Sequence, residues 1–253
     1  MKSHKKFTKR IAAVVSTVML FSSLGTGAAS VTAADTTADD IDFARALQYS
    51  IYFYDGNMCG TGVNENDRFS WRGNCHTYDA QVPMNSTATN LSESFLTQYK
   101  DVLDPDGDGY IDVSGGFHDA GDHVKFGMPE NYAASTLGWG YYEFRESYVE
   151  TGLQKHVEDE LRWINDYFMK ATFLDDDGNV VAYCYQVGEG NNDHNYWCAP
   201  ELQVDDTYVA TSSCAVKRPA YFATTETPAS DQTAGAAASL AVNYLNFKDT
   251  DPE

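Results

Sequence analysis

Hydrophobic residues recur with a helical period in four segments of this 253-residue chain. In the first, apolar side chains at positions 43, 47, 51 and 54 fall on one face of a helix that starts near Asp42. The same period predicts helices over residues 132–148, 154–168 and 232–244. Residues 180–186 fit a short strand. The pattern therefore predicts a protein built mainly from helices.

One segment without a period, residues 112–129, concentrates residues that carry chemistry. Gly115 and Gly116 can adopt positive φ, and we expect them to let a ligand approach the backbone. Asp119 and Asp122 are three residues apart, so both carboxylates can point to one small volume. A water held between them can be oriented and lose its proton, which is the base half of a hydrolytic mechanism. Spacing alone equally fits a glycine-rich turn whose aspartates cap the following helix.

The sequence of this segment, DVSGGFHDAGDHVKFGMP, resembles the signature of the family 9 glycoside hydrolases, the inverting β-1,4-glucanases. The resemblance implies that Asp122 is the catalytic base and that Asp119 helps to hold the nucleophilic water. It also implies an all-α fold, the (α/α)6 barrel of twelve helices. We therefore expect residues 35–253 to be an incomplete, N-terminal portion of such a catalytic domain.

A second segment, RFSWRG at residues 68–73, is similar to one that lies beside the active-site cleft in that family. The similarity implies that Trp71 and Arg72 contact substrate. The residues by themselves also fit a buried cation–π pair in a long loop. His118, inside the signature, is a further candidate for substrate binding.

A third segment, YQVGEGNNDHNYW at residues 185–197, resembles the motif that lines the family's glucose-binding cleft. By this resemblance, His194 is expected to hydrogen-bond a sugar hydroxyl and Trp197 to provide a platform on which a sugar ring stacks. A structural role in a loop is the alternative for both residues.

Residues 104–112, DPDGDGYID, begin as calcium-binding loops begin. Hard Ca²⁺ prefers several oxygen ligands within a tight turn, and loop positions 1, 3, 5 and 9 supply carboxylates from Asp104, Asp106, Asp108 and Asp112. Position 12 is a glycine, so the bidentate glutamate that closes such loops is missing. The segment fits a structural calcium site or a solvated acidic turn, and no cofactor is expected for the chemistry itself.

The chain has five cysteines, an odd number, at positions 59, 75, 184, 198 and 214. One is left over, or its partner lies beyond residue 253. None stands in a C-x-x-C pair, and no histidine has zinc-finger spacing to them. Disulfides are therefore favoured over metal binding in an exported protein.

Residues 1–34 have the layout of a secretory signal peptide: five basic residues, an apolar run over 11–24 and then small residues. The apolar run is too short to span a membrane. The whole chain has a net charge of −20, and the exported part is more acidic still. Nucleic acid and anionic membranes are therefore excluded as partners, whereas a neutral polysaccharide suffers no repulsion.

These features predict a secreted endo-β-1,4-glucanase that hydrolyses cellulose, or another β-1,4-glucan, with inversion. The family's general acid is a Glu near the far end of the domain and is not in this sequence, so this chain alone is expected to be inactive. Any accessory modules of the full-length protein are expected downstream. The alternatives are a non-catalytic carbohydrate-binding protein that uses the same cleft, and a structural module organised by calcium.

Overall fold

The computed structural model describes residues 41–204 and 217–251. The predicted signal peptide and Cys214 lie outside these residues. None of the helices in the described part combines the length and the apolar composition that a membrane span requires.

The described residues form long helices joined by loops that contain short helical turns. In chain order the α-helices are α1 (Phe43–Asn57), α2 (Val63–Asn66), α3 (Glu93–Gln98), α4 (Lys100–Leu103), α5 (Gly127–Glu143), α6 (Arg145–Glu150), α7 (Gln154–Lys170), α8 (Gly190–Asp193) and α9 (Ser230–Phe247). Two 3₁₀ turns span Thr77–Ala80 and Pro200–Leu202.

The four predicted helices correspond to α1, α5, α7 and α9, and the apolar stripe of α7 is buried as predicted. The second predicted helix differs at both ends. It begins at Gly127, five residues earlier than the period indicates, because Pro129 falls in the first turn, where a missing N–H costs nothing. It then divides at Phe144 into α5 and α6.

A four-stranded antiparallel sheet packs among these helices. Its strands are β3 (Lys125–Phe126), β4 (Thr172–Leu174), β5 (Val180–Val187) and β6 (Ala220–Ala223), and β5 pairs with each of the other three. A separate pair joins β1 (Val82–Pro83) to β2 (Tyr110–Ile111). The predicted strand is thus confirmed as β5, whereas the all-α prediction omits the sheet around it.

Helices α5 and α9 pack closely because small residues lie at their contact. A Cβ atom at Gly138 would lie 2.9 Å from side-chain atoms of Val242 and Asn243. One at Gly235 would lie 2.9 Å from the Cβ of Asn131. The absence of side chains at these two glycines therefore sets the distance between the helices.

The glycine pair before the aspartate motif also packs against the interior. Gly115 and Gly116 have φ of +105° and +78°, so the prediction of positive φ is confirmed. A Cβ atom at Gly116 would lie 2.7 Å from the Tyr167 ring and 2.8 Å from a carboxylate oxygen of Glu130. The close neighbours of Gly116 are thus the side chains of Tyr167 and Glu130.

A buried ion cluster joins three distant segments beneath this loop. The Lys125 ammonium donates to the carbonyls of Val113 and Gly115, at 2.6 and 3.1 Å, and lies 3.0 Å from Asp79. Arg218 donates two hydrogen bonds to the same carboxylate, at 2.8 and 3.0 Å. Burial would raise the pKa of Asp79, but these two cations outweigh it and hold that pKa at about 2. Asp79 is therefore ionised and fully paired inside the protein.

The close approach of Gly116 to Tyr167 can be tested with Gly116→Ala. We expect this change to lower the free energy of unfolding by about 3 kcal/mol, because strain at positive φ adds to a collision with the ring. Urea-induced unfolding measures it. Gly178→Ala is the control, because Gly178 has φ of +80° and a Cβ atom there would have no neighbour within 4 Å. Equal losses for the two variants would show that the Tyr167 contact does not require glycine.

Candidate active site

The loop that carries Asp119 and Asp122 is held by backbone hydrogen bonds at both ends. The N–H of His118 donates to the carbonyl of Asn57 at 2.8 Å, and the N–H of Asp119 donates to the carbonyl of Val124 at 2.9 Å. The second bond brings the two ends of the loop together. The aspartates therefore lie on a tight, fixed turn immediately before β3.

Asp122 is the more enclosed of the two aspartates, with 3% of its surface exposed. One of its carboxylate oxygens, Oδ2, forms a hydrogen bond with Nε2 of His194. The other, Oδ1, is buried and has no hydrogen-bond partner among the described residues. Leaving a carboxylate oxygen unpaired is costly unless a water or ligand occupies the position beside it. The geometry thus suits a group that accepts a proton from a bound molecule.

Asp119 lies near enough to Asp122 for their charges to interact. Burial raises the pKa of Asp119, and the negative charge of Asp122 raises it further. Asp119 also lines a cavity of about 170 Å³ whose other walls are mostly aromatic and aliphatic side chains of α1, α5 and α7. The structure therefore brings the two predicted catalytic carboxylates into one electrostatically coupled site.

His194 and Trp197 reach this site from the segment that follows β5. Helix α8 starts at a cap formed by Glu189, whose carboxylate accepts from the N–H groups of residues 191 and 192 at 3.2 and 2.9 Å. His194 follows α8, and its carbonyl accepts from the Trp197 indole at 2.8 Å. The Trp197 ring is 71% exposed. It is therefore available as a stacking surface beside Asp122.

Gly121 explains how Trp197 can lie against the aspartate loop. A Cβ atom at Gly121 would be 2.6 Å from the indole ring. The glycine between Asp119 and Asp122 is therefore required by the position of the tryptophan, in addition to any need for a tight turn.

Asp193 fixes the position of the segment that carries His194 and Trp197 relative to the loop that carries Asp119 and Asp122. No sequence pattern predicted a role for it. It is fully buried. Its Oδ1 accepts from the N–H of His123 at 2.7 Å, and its Oδ2 accepts from the side chain of Gln203 at 3.1 Å. His123 follows Asp122, and His194 follows Asp193. The hydrogen bond from the His123 N–H to Asp193 therefore joins the backbone next to Asp122 to the residue next to His194.

Comparison with known proteins places this chain among glycoside hydrolases. It matches Glycosyl hydrolase family 9 over residues 43–253. The chain belongs to this family. Endoglucanase 4 of Bacillus sp. (strain KSM-522) is 34% identical over 212 residues, which are 84% of this chain and 27% of that protein.

Two solved structures resemble the chain closely. The catalytic domain of Clostridium thermocellum CelT is 57% identical with a TM-score of 0.78, and the match covers 84% of this chain and 41% of that one. The cellulase Cel9M of C. cellulolyticum, in complex with cellobiose, is 39% identical with a TM-score of 0.63, over 85% and 40% of the two chains. This family 9 chain spans about a quarter of the length of the curated relatives it matches.

The other predicted substrate contacts of this family 9 chain are Trp71, Arg72 and His118, and of these His118 lines the same cavity as Asp119. Trp71 is 68% exposed and stacks on Phe69 with ring centroids 5.1 Å apart. Arg72 is 5% exposed, and its guanidinium donates to three backbone carbonyls of residues 55, 56 and 58 and to Glu201. His118 is 4% exposed and bonds to His76. Arg72 and His118 thus have interior partners, whereas the exposed Trp71 ring is available to a sugar.

His118 belongs to a buried cluster with Cys59, Cys75 and His76. One ligand atom from each of the four residues lies within 4.8 Å of the others. Two thiols and two imidazoles are the donor set of a structural zinc site. The four described cysteines are free thiols, so the cluster corrects the preference for disulfides over metal binding.

Backbone pairing assembles this cluster from three segments. The N–H of Cys59 donates to the carbonyl of Gly116 at 2.9 Å, and Gly60 exchanges hydrogen bonds with Cys75. Nε2 of His76 lies 2.7 Å from the side-chain oxygen of Gln203, so that nitrogen carries the proton, and the unprotonated Nδ1, which faces His118, can bind a metal. Arg72 donates toward Cys75 at 3.6 Å, which favours a thiolate there.

Among the predicted calcium ligands, Asp104, Asp106 and Asp108 lie together, with one oxygen of each within 4.8 Å of the others. Asp112 turns away. Its carboxylate accepts from the N–H and hydroxyl of Ser114 and lies 3.5 Å from Lys170. The predicted set of four is therefore corrected to three.

Zinc binding at the Cys59, Cys75, His76 and His118 cluster can be tested by removing the metal with a chelator and adding it back. We expect one zinc ion per chain and stabilisation of about 4 kcal/mol when free zinc is a thousand times Kd. Elemental analysis and thermal unfolding measure these effects. Cys75→Ser should abolish both, whereas the control Cys198→Ser alters an exposed thiol outside the cluster and should keep both. Equal stabilisation of the two variants would place the zinc elsewhere.

Glu130 makes stability depend on pH in this region. Its carboxylate accepts from the N–H of Phe117 at 2.8 Å, and burial raises its pKa to about 8 from an ordinary 4.5. The folded state therefore holds a proton that the unfolded state releases. This contribution to stability is complete below the ordinary pKa and is lost as pH rises through 8.

Glu130→Gln keeps the hydrogen-bond acceptor and removes the titration. Between pH 5 and 9 we expect the wild type to lose about 2 kcal/mol more of its free energy of unfolding than the variant. This is roughly half of the free energy that corresponds to the whole pKa shift of Glu130, because solvent reaches part of the side chain. Urea unfolding at a series of pH values measures the difference. Parallel profiles for the two proteins would contradict this assignment.

Proposed function

We propose that the complete protein containing this chain is a secreted endo-β-1,4-glucanase that hydrolyses cellulose or a related β-1,4-glucan with inversion. The observation that carries the proposal is the state of Asp122, whose buried carboxylate uses one oxygen to bind His194 and leaves the other without a partner among the described residues. The identity to CelT and to Cel9M, the latter solved with cellobiose, supports this choice of substrate class. The basic, apolar and small-residue pattern of residues 1–34 supports secretion.

In this proposal, Asp122 acts as the general base. A water lies against its free oxygen, with Asp119 helping to orient it. As the water oxygen bonds to the anomeric carbon, Asp122 accepts a proton, and the bond from that carbon to the leaving sugar oxygen breaks. His194 holds the base in position and remains half exposed toward the substrate. Trp197 supplies a stacking surface for a neighbouring glucose ring.

The leaving oxygen needs a proton from a general acid on the opposite side of the sugar. Carboxyl groups in inverting enzymes are roughly 6.5–9.5 Å apart, which leaves room for the water. We assign that acid to a glutamate outside this sequence, as the family resemblance implies. We also propose that helices α1, α5, α7 and α9 are part of the N-terminal portion of an (α/α)6 barrel. This chain alone then supplies the base side and has little hydrolytic activity.

A second candidate is a carbohydrate-binding protein without catalysis. The exposed Trp197 ring favours it, because an aromatic platform binds sugar whether or not an acid is present. Hydrolysis by the complete protein distinguishes the two functions.

For the complete protein, we expect Asp122→Asn to reduce kcat on cello-oligosaccharides by about a thousandfold, because an amide cannot accept the proton of the attacking water. Binding of the same oligosaccharide, measured by calorimetry, should remain. The anomer released first, followed by NMR, should have the configuration opposite to that of the bond cleaved.

Asp177→Asn is the control, because Asp177 is an exposed carboxylate in the turn between β4 and β5 and is not one of the proposed site residues. It should leave kcat unchanged. If Asp122→Asn kept a near-normal rate, the base would be a different residue. Sugar binding by the wild type without hydrolysis would instead favour the carbohydrate-binding function, and retention of configuration would exclude the inverting mechanism.

A further inference from the structure

The acidic loop between α4 and β2 gathers three carboxylates that the proposed hydrolysis does not use. Asp104, Asp106 and Asp108 each place an oxygen within 4.8 Å of the other two. Gly107 and Gly109, with φ of +76° and +92°, let the chain turn back between them. Like charges at such distances repel, so the loop needs a source of compensation.

Asp104 supplies the second and independent observation. It is 3% exposed, unlike Asp106 and Asp108, which are exposed. Its Oδ2 accepts from the N–H of Gly109 at 3.0 Å. Its Oδ1 is buried without a hydrogen-bond partner among the described residues. A buried, unpaired carboxylate oxygen beside two further carboxylates is unfavourable unless a cation lies there.

A second acidic turn in the same chain shows that acidity alone does not produce this arrangement. Residues 175–177 are also three aspartates followed by a glycine. There Asp175 is satisfied by the backbone and side chain of Asn179, at 2.7 to 3.2 Å. Among the described residues, these three carboxylates do not form a cluster of possible metal ligands. Convergent carboxylates and an unpaired buried oxygen thus distinguish residues 104–108 from this second turn.

We propose that this loop binds a Ca²⁺ ion through the carboxylates of Asp104, Asp106 and Asp108. Calcium accepts six to eight oxygen ligands in flexible geometry, whereas Mg²⁺ demands a near-ideal octahedron. In a D-x-D-x-D-G loop the backbone carbonyl at position 7 is a further ligand, here that of Tyr110, and waters complete the shell. Asp112, occupied by Ser114 and Lys170, is not a ligand.

The affinity follows from what the loop lacks. Position 12, which usually carries a bidentate glutamate, is Gly115. Three carboxylates without that residue place the site among the weak calcium loops of extracellular proteins, with Kd of about 10⁻⁴–10⁻³ M. Such a site fills in a calcium-rich exterior and stabilises the fold there.

The ion would stabilise the connection from α4 to the aspartate motif. Asp104 follows the last residue of α4, and β2 begins at Tyr110 and pairs with β1. Three residues later, the N–H of Val113 donates to the carbonyl of Asp79 at 3.0 Å. Calcium binding should therefore raise the thermal stability of the whole chain, and this inference does not depend on the proposed hydrolysis.

The test is calcium titration of the chelator-treated and desalted chain, with zinc restored beforehand. Calorimetry should find one Ca²⁺ per chain with the affinity given above, and the melting temperature should rise with added Ca²⁺. Terbium luminescence, sensitised through Tyr110, gives a second readout of the same loop. Mg²⁺ at equal concentration should have a much smaller effect.

Variants locate the site. Asp106→Asn and Asp108→Asn each remove one charge from an exposed ligand without disturbing the core, and we expect each to weaken Ca²⁺ binding about tenfold or more. The control Asp177→Asn alters the other acidic turn and should not change it. Asp112→Asn should also leave the affinity unchanged. No binding up to about 10 mM, or equal weakening by Asp177→Asn, would overturn the proposal, and selective weakening by Asp112→Asn would overturn the three-ligand assignment.

Discussion

The paired charges of Asp79, Lys125 and Arg218 are the constraint on which the rest of the site depends. They join the 3₁₀ turn at residues 77–80, the start of β3 and the segment before β6, which are far apart in sequence. Removing one member of a buried pair leaves an uncompensated charge, which costs several kcal/mol. Arg218 also donates to the carbonyl of His123 at 2.8 Å. The loop that carries Asp122 therefore rests on a cluster that cannot move without separating buried charges.

Several buried carboxylates in this protein have an oxygen without a hydrogen-bond partner among the described residues. The groups around each carboxylate indicate what compensates for the missing partner. Glu160 has a buried oxygen without a partner among the described residues. Burial raises its pKa to about 7, and the guanidinium of Arg68 lies 3.4 Å from its other oxygen, so protonation and an existing cation account for it. Among the described residues, the hydrogen-bond partner of the Asp122 carboxylate is His194, and that of the Asp104 carboxylate is the N–H of Gly109. These two sites therefore call for a bound water and a cation, respectively.

Sequence periodicity predicted the long helices because each has an apolar stripe of several turns. It could not predict the sheet, since β3 has two residues and β6 four, too few to show a period of two.

The motif resemblance found Asp119, Asp122, His194 and Trp197, which the fold brings together. It also suggested Arg72 and His118 as substrate contacts, but it could not show that both side chains have interior partners, because a motif does not record which way a side chain faces. The cluster of possible zinc ligands was missed for a related reason. Its ligands are separated by 17 and 42 residues along the chain, counting from Cys59 to His76 and from His76 to His118, and only the backbone pairing of residues 59 and 60 with two other segments unites them.

Anchors on both sides explain why Asp122, the proposed base, can be rigid while it lies on a loop. His118, at one end, is held among the buried thiols and His76, and His123, at the other end, is held by Asp193 and Arg218. The four residues between them then have little freedom to move. Catalytic groups need positions fixed to within a fraction of an ångström, and loops seldom provide this without support from behind. Anchoring both ends in the interior therefore fixes the positions of the Asp119 and Asp122 carboxylates.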